Sequence, residues 1–310
     1  DETPGKTDPS KCVVPFESYP MALNPTGRIV VTANNDIGDI THDNSLTNDE
    51  WYVGGPWMYG FRAQRIADLL GDKAKAGATL ADMSEIQGDV KSPLGALHTA
   101  WLVKQLEAAA DLAATDGLKS DEEERVVGLY AQLTATDVDD VIKRLKGWEK
   151  AGFVASSGVE TFYTKPTDQT RANAVATTIF NAWFARFRSL VLDDEPMPGA
   201  YRFSNGSTRA VNYFVAGIGA DNPLKQASFY KPTGQSIFFD RVGTAEVETA
   251  RECALQAMID AVAYLSSEVK DEGTGGFGSA DHAKWLWGLR HQVKFESTIA
   301  DFFSAAEGLT

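Results

Sequence analysis

Two cysteines and four histidines among 310 residues leave little material for a metal centre or a disulfide framework. Cys12 and Cys253 lie far apart and share no metal-ligand spacing, which leaves either one long-range disulfide or two inert thiols. His282 and His291 miss the i, i+4 spacing of a helical zinc pair, and His98 sits alone on an apolar stripe, where a core histidine is the simplest reading. No run of 18 apolar residues occurs, and the opening DETPGKTDPSK has neither a basic start nor an apolar core. Neither a membrane span nor an intact signal peptide is therefore legible. Positive charge is the minority sign, 29 Lys and Arg against 43 Asp and Glu, for a formal net charge of -14. That balance argues against a phosphate-backbone partner or an anionic membrane surface.

What the chain does contain is helical periodicity over most of its length. Residues 1–26 carry Pro4, Pro9, Pro15, Pro20 and Pro25 and read as an extended lead-in. The run GRIVVTANND follows, whose Ile29, Val30 and Val31 favour extended backbone while Asn34, Asn35 and Asp36 favour turns. A strand over Arg28–Ala33 is predicted, ending at Asn34, whose carboxamide NH2 could donate to an oxyanion. From Pro56 onward Met58, Arg62, Ile66 and Leu69 recur at helical spacing, which places Arg62 on an apolar face, half-buried.

Capping patterns mark further helix starts at Thr79 (TLAD) and Ser120 with Glu123, and the Ser92-Pro93 pair breaks the chain before another apolar stripe. Val138 to Trp148 and the aromatic stretch Ala174–Leu192 continue the pattern. Pro196 to Asp240 is predicted to be irregular, Thr244 to cap a long helix through Leu265, and a last helix to carry Trp285, Trp287, His291 and Phe295. The glycine-rich DEGTGGFGS lacks the lysine of a phosphate-binding loop and reads as a connector. The acidic loop with Asp36, Asp39, Asp43, Asp49 and Glu50 could offer oxygen ligands to calcium, but it fails the EF-hand template.

Four ordered blocks give the chain a likeness to a known family. They are PFESYPMALNPTGRIVVTANND; WMYGFRAQRIADLL with IQGDVKSPLG; ANAVATTIFNAWFARFRSLVLDDE; and SIFFDRVGTAEVETARECALQAMIDAVAYL with WLWGLRHQVKF. In this order they resemble the β-chain of the penicillin acylase family of N-terminal-nucleophile hydrolases, over nearly the whole chain. The resemblance implies an α+β fold, the four-layer αββα sandwich, of which this chain supplies a largely helical portion plus the strand near 28–33. It implies an amidohydrolase that releases an acyl group from an amide of the β-lactam side-chain or N-acyl-homoserine lactone type, in the periplasm or secreted. An N-terminal serine attacks, with its own α-amine as base.

By the same resemblance Asn34 is the oxyanion donor, Arg62 orients groups beside the nucleophile, and Trp57 and Trp51 belong to substrate binding. Glu50, or Asp49 one residue earlier, matches a carboxylate that some members use for calcium; no other cofactor is implied. Residue 1 is Asp, and no serine here has the nucleophile's context. The expected partner is a companion chain or segment of the same precursor carrying that serine and the remaining strands. A function of another class also fits: a secreted helical binding or scaffold module of the same descent, without activity.

Overall fold

The computed structural model describes residues 15–36, 57–195, 205–218, 229–230, 233–270 and 274–292. Helix α1 (Phe61–Ala76) starts after Gly60, whose φ of 83° only glycine adopts readily, so Trp57 and Met58 precede the helix predicted from Pro56. Thr79 and Asp82 exchange hydrogen bonds in the capping box read from TLAD and open α2 (Leu80–Gln87). Ser92 accepts from the Gly95 N–H, and Pro93 takes the first position of α3 (Pro93–Ala114), where its missing N–H is not needed. Ser120 and Glu123 cap α4 (Asp121–Thr134) as the sequence implies. Asp137 opens α5 (Val138–Lys150), and Thr167 opens α6 (Asp168–Leu192).

α6 is the centre of the core. Residues Asn173 to Phe180 along it are buried without a break, as expected of a helix covered on all sides. It packs against α5 and against α8 (Ala250–Ser266), whose Ala254, Ala257 and Ala261 let the two backbones approach. Trp183 stacks on Phe187 with centroids 5.0 Å apart, and its Nε1 donates to Ala254 O at 3.1 Å. Phe180, Phe184, Trp101 and Phe239 extend the aromatic array. α3 and α4 pack beside it, and Arg125 Nε donates to the buried Glu252 Oε1 at 2.6 Å, tying α4 to α8. Gly95 lies under Trp148 so closely that any Cβ there would strike the indole, and Trp148 Nε1 donates to Val154 O. The apolar stripe after Ser92-Pro93 is buried at Leu102 but leaves Leu97 exposed, and Gly95 within it is a steric requirement.

Three expectations are corrected. The first concerns strand. No strand forms at Arg28–Ala33: Arg28 has φ 56°, and residues 29–32 make no ladder bonds among the described residues. A β-branched run becomes a strand only beside a partner, and here the Ala33 carbonyl is taken by a side chain instead. Among the described residues, strand is limited to the hairpin β1 (Phe229–Tyr230) and β2 (Gln235–Ser236). The described part of the molecule is thus mostly helical, compatible with a helical portion of the family fold.

The second correction moves the start of α8 from Thr244 to Thr249. Thr249 has Glu252 three residues on and forms a full capping box, whereas Thr244 has Val247 there and spends its hydroxyl on Arg241 O at 2.8 Å. The third replaces the last helix by two short 3-10 turns, His282–Lys284 and Trp287–Leu289. Tertiary partners draw their polar groups away from a helical ladder: Trp285 Nε1 donates to Ser279 O, and Gly288 N donates to Ser157 O. Phe295 lies outside the described residues. The irregular stretch also holds α7 (Asn205–Ala216).

His98 is buried at 1 % exposure, and its Nε2 lies 2.6 Å from Asn212 Oδ1 on α7. Its Nδ1 has no partner among the described residues, so the ring is satisfied on one side only. Burial pushes its pKa below the ordinary 6.5, against the bond to Asn212. The unfolded chain then takes up a proton near pH 6.5 that the folded chain refuses, so this group's share of stability is lost as pH falls through 6.5. Urea midpoints at pH 7.5 and 5.5 test this. The midpoint of the native protein should drop, and a His98→Gln variant should drop less; equal drops would show that His98 is not the group responsible.

Candidate active site

Asn34 occupies the left-handed region at φ 58°, where asparagine is better tolerated than other side chains. The turn around it is held by short-range bonds: Ala33 N donates to Asn35 Oδ1 at 3.0 Å, and Asn35 Nδ2 donates to Asp36 O at 3.3 Å. Two longer-range contacts fix it to the rest of the chain. Met58 N donates to Asn34 O at 2.6 Å. Arg62 Nη2 donates both to Ala33 O at 2.9 Å and to Asn34 Oδ1 at 2.6 Å. The two residues singled out from sequence therefore meet side chain to side chain.

The chemistry of this contact sets the carboxamide's orientation. A guanidinium has five donors and no acceptor, so only Oδ1 of Asn34 can face Arg62. Nδ2 must then point away from Arg62, and it takes no partner among the described residues. The exposed Asn34 amide thus turns its oxygen to Arg62 and keeps an NH2 with no partner among the described residues.

Arg62 departs from one expectation. Its helical phase implied half-burial with Ile66 and Leu69, yet α1 buries none of its residues and Arg62 is exposed. The helix is anchored by ion pairs in place of a core. Arg65 grips Asp89 with Nε at 2.9 Å and Nη2 at 2.7 Å, and that bond holds the Asp89 carboxyl below the usual carboxylate range. Lys73 reaches both Asp82 and Glu85 at 2.8 Å, joining α1 to α2.

Trp57, the neighbour of Met58 in sequence, is half-buried, and its Nε1 is enclosed without a partner among the described residues. A buried indole N–H normally finds an acceptor, and this one is shut off from solvent as well. Arg209, on α7, was not legible from sequence: its Nη2 donates to Met58 O at 3.2 Å. Met58 is thus clasped on both main-chain groups, by Asn34 and by Arg209. Nothing local in the sequence signals a contact between positions so far apart. Trp51, Asp49 and Glu50, with the calcium expectation, lie outside the described residues, as does Cys12. Cys253 is a buried thiol that donates to Phe239 O at 3.3 Å, and burial holds its pKa far above the range of a reactive thiol. Among the described residues no group of three acidic, His or Cys side chains is placed to hold a metal.

No curated protein and no solved structure matches the chain. A family model described as penicillin amidase does, over residues 3–308, which include the Asn34 turn, α1 and the buried aromatic helix alike. With that match across nearly its whole length, the chain belongs to the penicillin amidase family.

Proposed function

We propose that this chain supplies the oxyanion side of an amidohydrolase site, with Asn34 as donor and Arg62 as the residue that positions it. The carrying observation is the Arg62–Asn34 contact, which turns the carboxamide so that its NH2 has no partner among the described residues. The nucleophile in this reading is a serine with a free α-amine on a companion segment. Its Oγ attacks the amide carbonyl, and the α-amine takes the hydroxyl proton. The negative charge that develops on the carbonyl oxygen is met by Asn34 Nδ2. Collapse breaks the C–N bond, the amine leaves with the proton, and water then releases the acyl group as a carboxylic acid. Trp57 flanks the substrate. Calcium at Asp49 or Glu50, and a periplasmic or secreted setting, belong to the same proposal.

The test begins with N-terminal sequencing of every chain that copurifies, followed by acyl release from a chromogenic anilide. A serine-led companion and measurable release are expected. Copurification of no such chain, together with no release, would instead favour an inactive helical scaffold. Arg62→Lys then probes the positioning role, because a tetrahedral ammonium on a stem of different reach does not reproduce the two coplanar Nη2 hydrogens that meet Ala33 O and Asn34 Oδ1. Loss of a charge-assisted hydrogen bond of about 1.5 kcal/mol predicts roughly a tenfold fall in kcat. Unchanged turnover in Arg62→Lys would remove Arg62 from the mechanism.

A further inference from the structure

A concave site, unrelated to Asn34, lies between the last turns of α5 and the first turns of α6. This open cleft has a volume of about 730 Å³, within the roughly 300–1,000 Å³ usual for small-molecule sites. Three cations, Lys143, Arg144 and Lys150, line it against a single carboxylate, Asp140. That surplus stands out on a chain of net charge -14.

The carboxylate is already committed. Asp140 Oδ2 accepts from Arg144 Nε at 2.5 Å and lies 2.8 Å from Nδ1 of the buried His282. These contacts hold the guanidinium in place and leave its two terminal nitrogens without a partner among the described residues. Neither lysine ammonium has a partner among the described residues. Across the cleft, Asn173 is only 4 % exposed; its Oδ1 accepts from Gln169 Nε2 at 2.8 Å, and its Nδ2 is uncommitted among the described residues. Donors therefore surround the cleft, and acceptors are few. The remaining wall is apolar: Trp148, Ala151 and Val154.

Gly147 lies between the two lysines on α5. A Cβ built there would meet nothing within 4 Å, so packing does not demand a glycine in this helix. Its effect is to leave the cleft floor open.

We propose that this cleft binds a small molecule with an anionic head, carboxylate or phosphate, on a compact apolar body. The head sits among Lys143, Arg144 and Lys150, with Asn173 as a further donor. The body lies over Gly147 against Trp148 and Val154. A fixed guanidinium favours planar, bidentate anions, and the apolar wall disfavours a bare ion. This inference is independent of the amidase reading.

Isothermal titration of the full chain with benzoate, phenyl phosphate, benzyl alcohol and inorganic phosphate provides the test. Saturable one-to-one binding of benzoate or phenyl phosphate is expected, with the alcohol and the bare phosphate at least tenfold weaker. Whichever aromatic anion binds tighter identifies the head group. The Lys143→Ala/Lys150→Ala double variant should bind at least tenfold more weakly. Gly147→Leu should abolish binding while keeping the fold, since leucine is the better helix former and fills open space. Absence of saturable binding of both anions, or undiminished binding in the two variants, or equal binding of benzyl alcohol and benzoate, would overturn the proposal.

Discussion

Replacing Asn34 by glycine should lower kcat of the assembled amidase by roughly 100- to 1000-fold, the loss of about 2.7–4 kcal/mol typical of one oxyanion donor, with KM little changed. Glycine is the informative substitution because Asn34 sits at φ 58°. Alanine there would add a backbone cost of about 1–2 kcal/mol and confuse strain with chemistry. Asn34→Asp sharpens the test. Aspartate keeps an oxygen for Arg62 and should hold the turn as well as asparagine does, but it places a second oxygen where the NH2 was. That variant should fold normally and be at least as slow as glycine. If Asn34→Asp or Asn34→Gly turned over near the native rate, the amide could not be the oxyanion donor, and the uncommitted NH2 would have to be explained by some other contact.

The largest effect on folding is expected from Trp183→Ala, at about 3–5 kcal/mol in chemical denaturation. Trp183 is fully buried where α6 meets α8, stacked on Phe187, next to Phe180, and bonded through Nε1 to Ala254 O. Alanine leaves a cavity between helices whose close approach depends on that indole. Trp183→Phe should cost less, because most of the ring stack survives and only the N–H contact and part of the volume are lost. A loss below about 1 kcal/mol for alanine would mean that α6 is not the element on which the core is built.

How much of this was legible in the sequence depended on how far apart the interacting groups lie. The capping boxes at Thr79 and Ser120 involve partners three residues apart, and both formed as read. The box at Thr249 is equally readable, since Glu252 stands at the required position, whereas Thr244 has Val247 there. α7 was hidden by the prolines and glycines around it, although Gly206 falls in its first turn and Gly217 just beyond its end, where glycine does little harm. Periodicity failed at Trp285 and Trp287 because single tertiary bonds, from Gly288 to Ser157 and from Trp285 to Ser279, decide the backbone there.

The site divides in the same way. Asn34 and Arg62 were found through family likeness, but their mutual contact spans 28 positions and no local pattern encodes it. The Arg209 contact to Met58 was invisible for the same reason.

The clasp at Met58 also bears on which substitutions can disturb the Asn34 turn. The Asn34 O to Met58 N bond, with Arg62 across it and Arg209 behind it, closes the chain upon itself. Its geometry is fixed by residues at the two ends of the intervening segment. A substitution at Arg62 or Arg209 therefore reaches the Asn34 turn through Met58 and α1, although neither position is its neighbour in sequence.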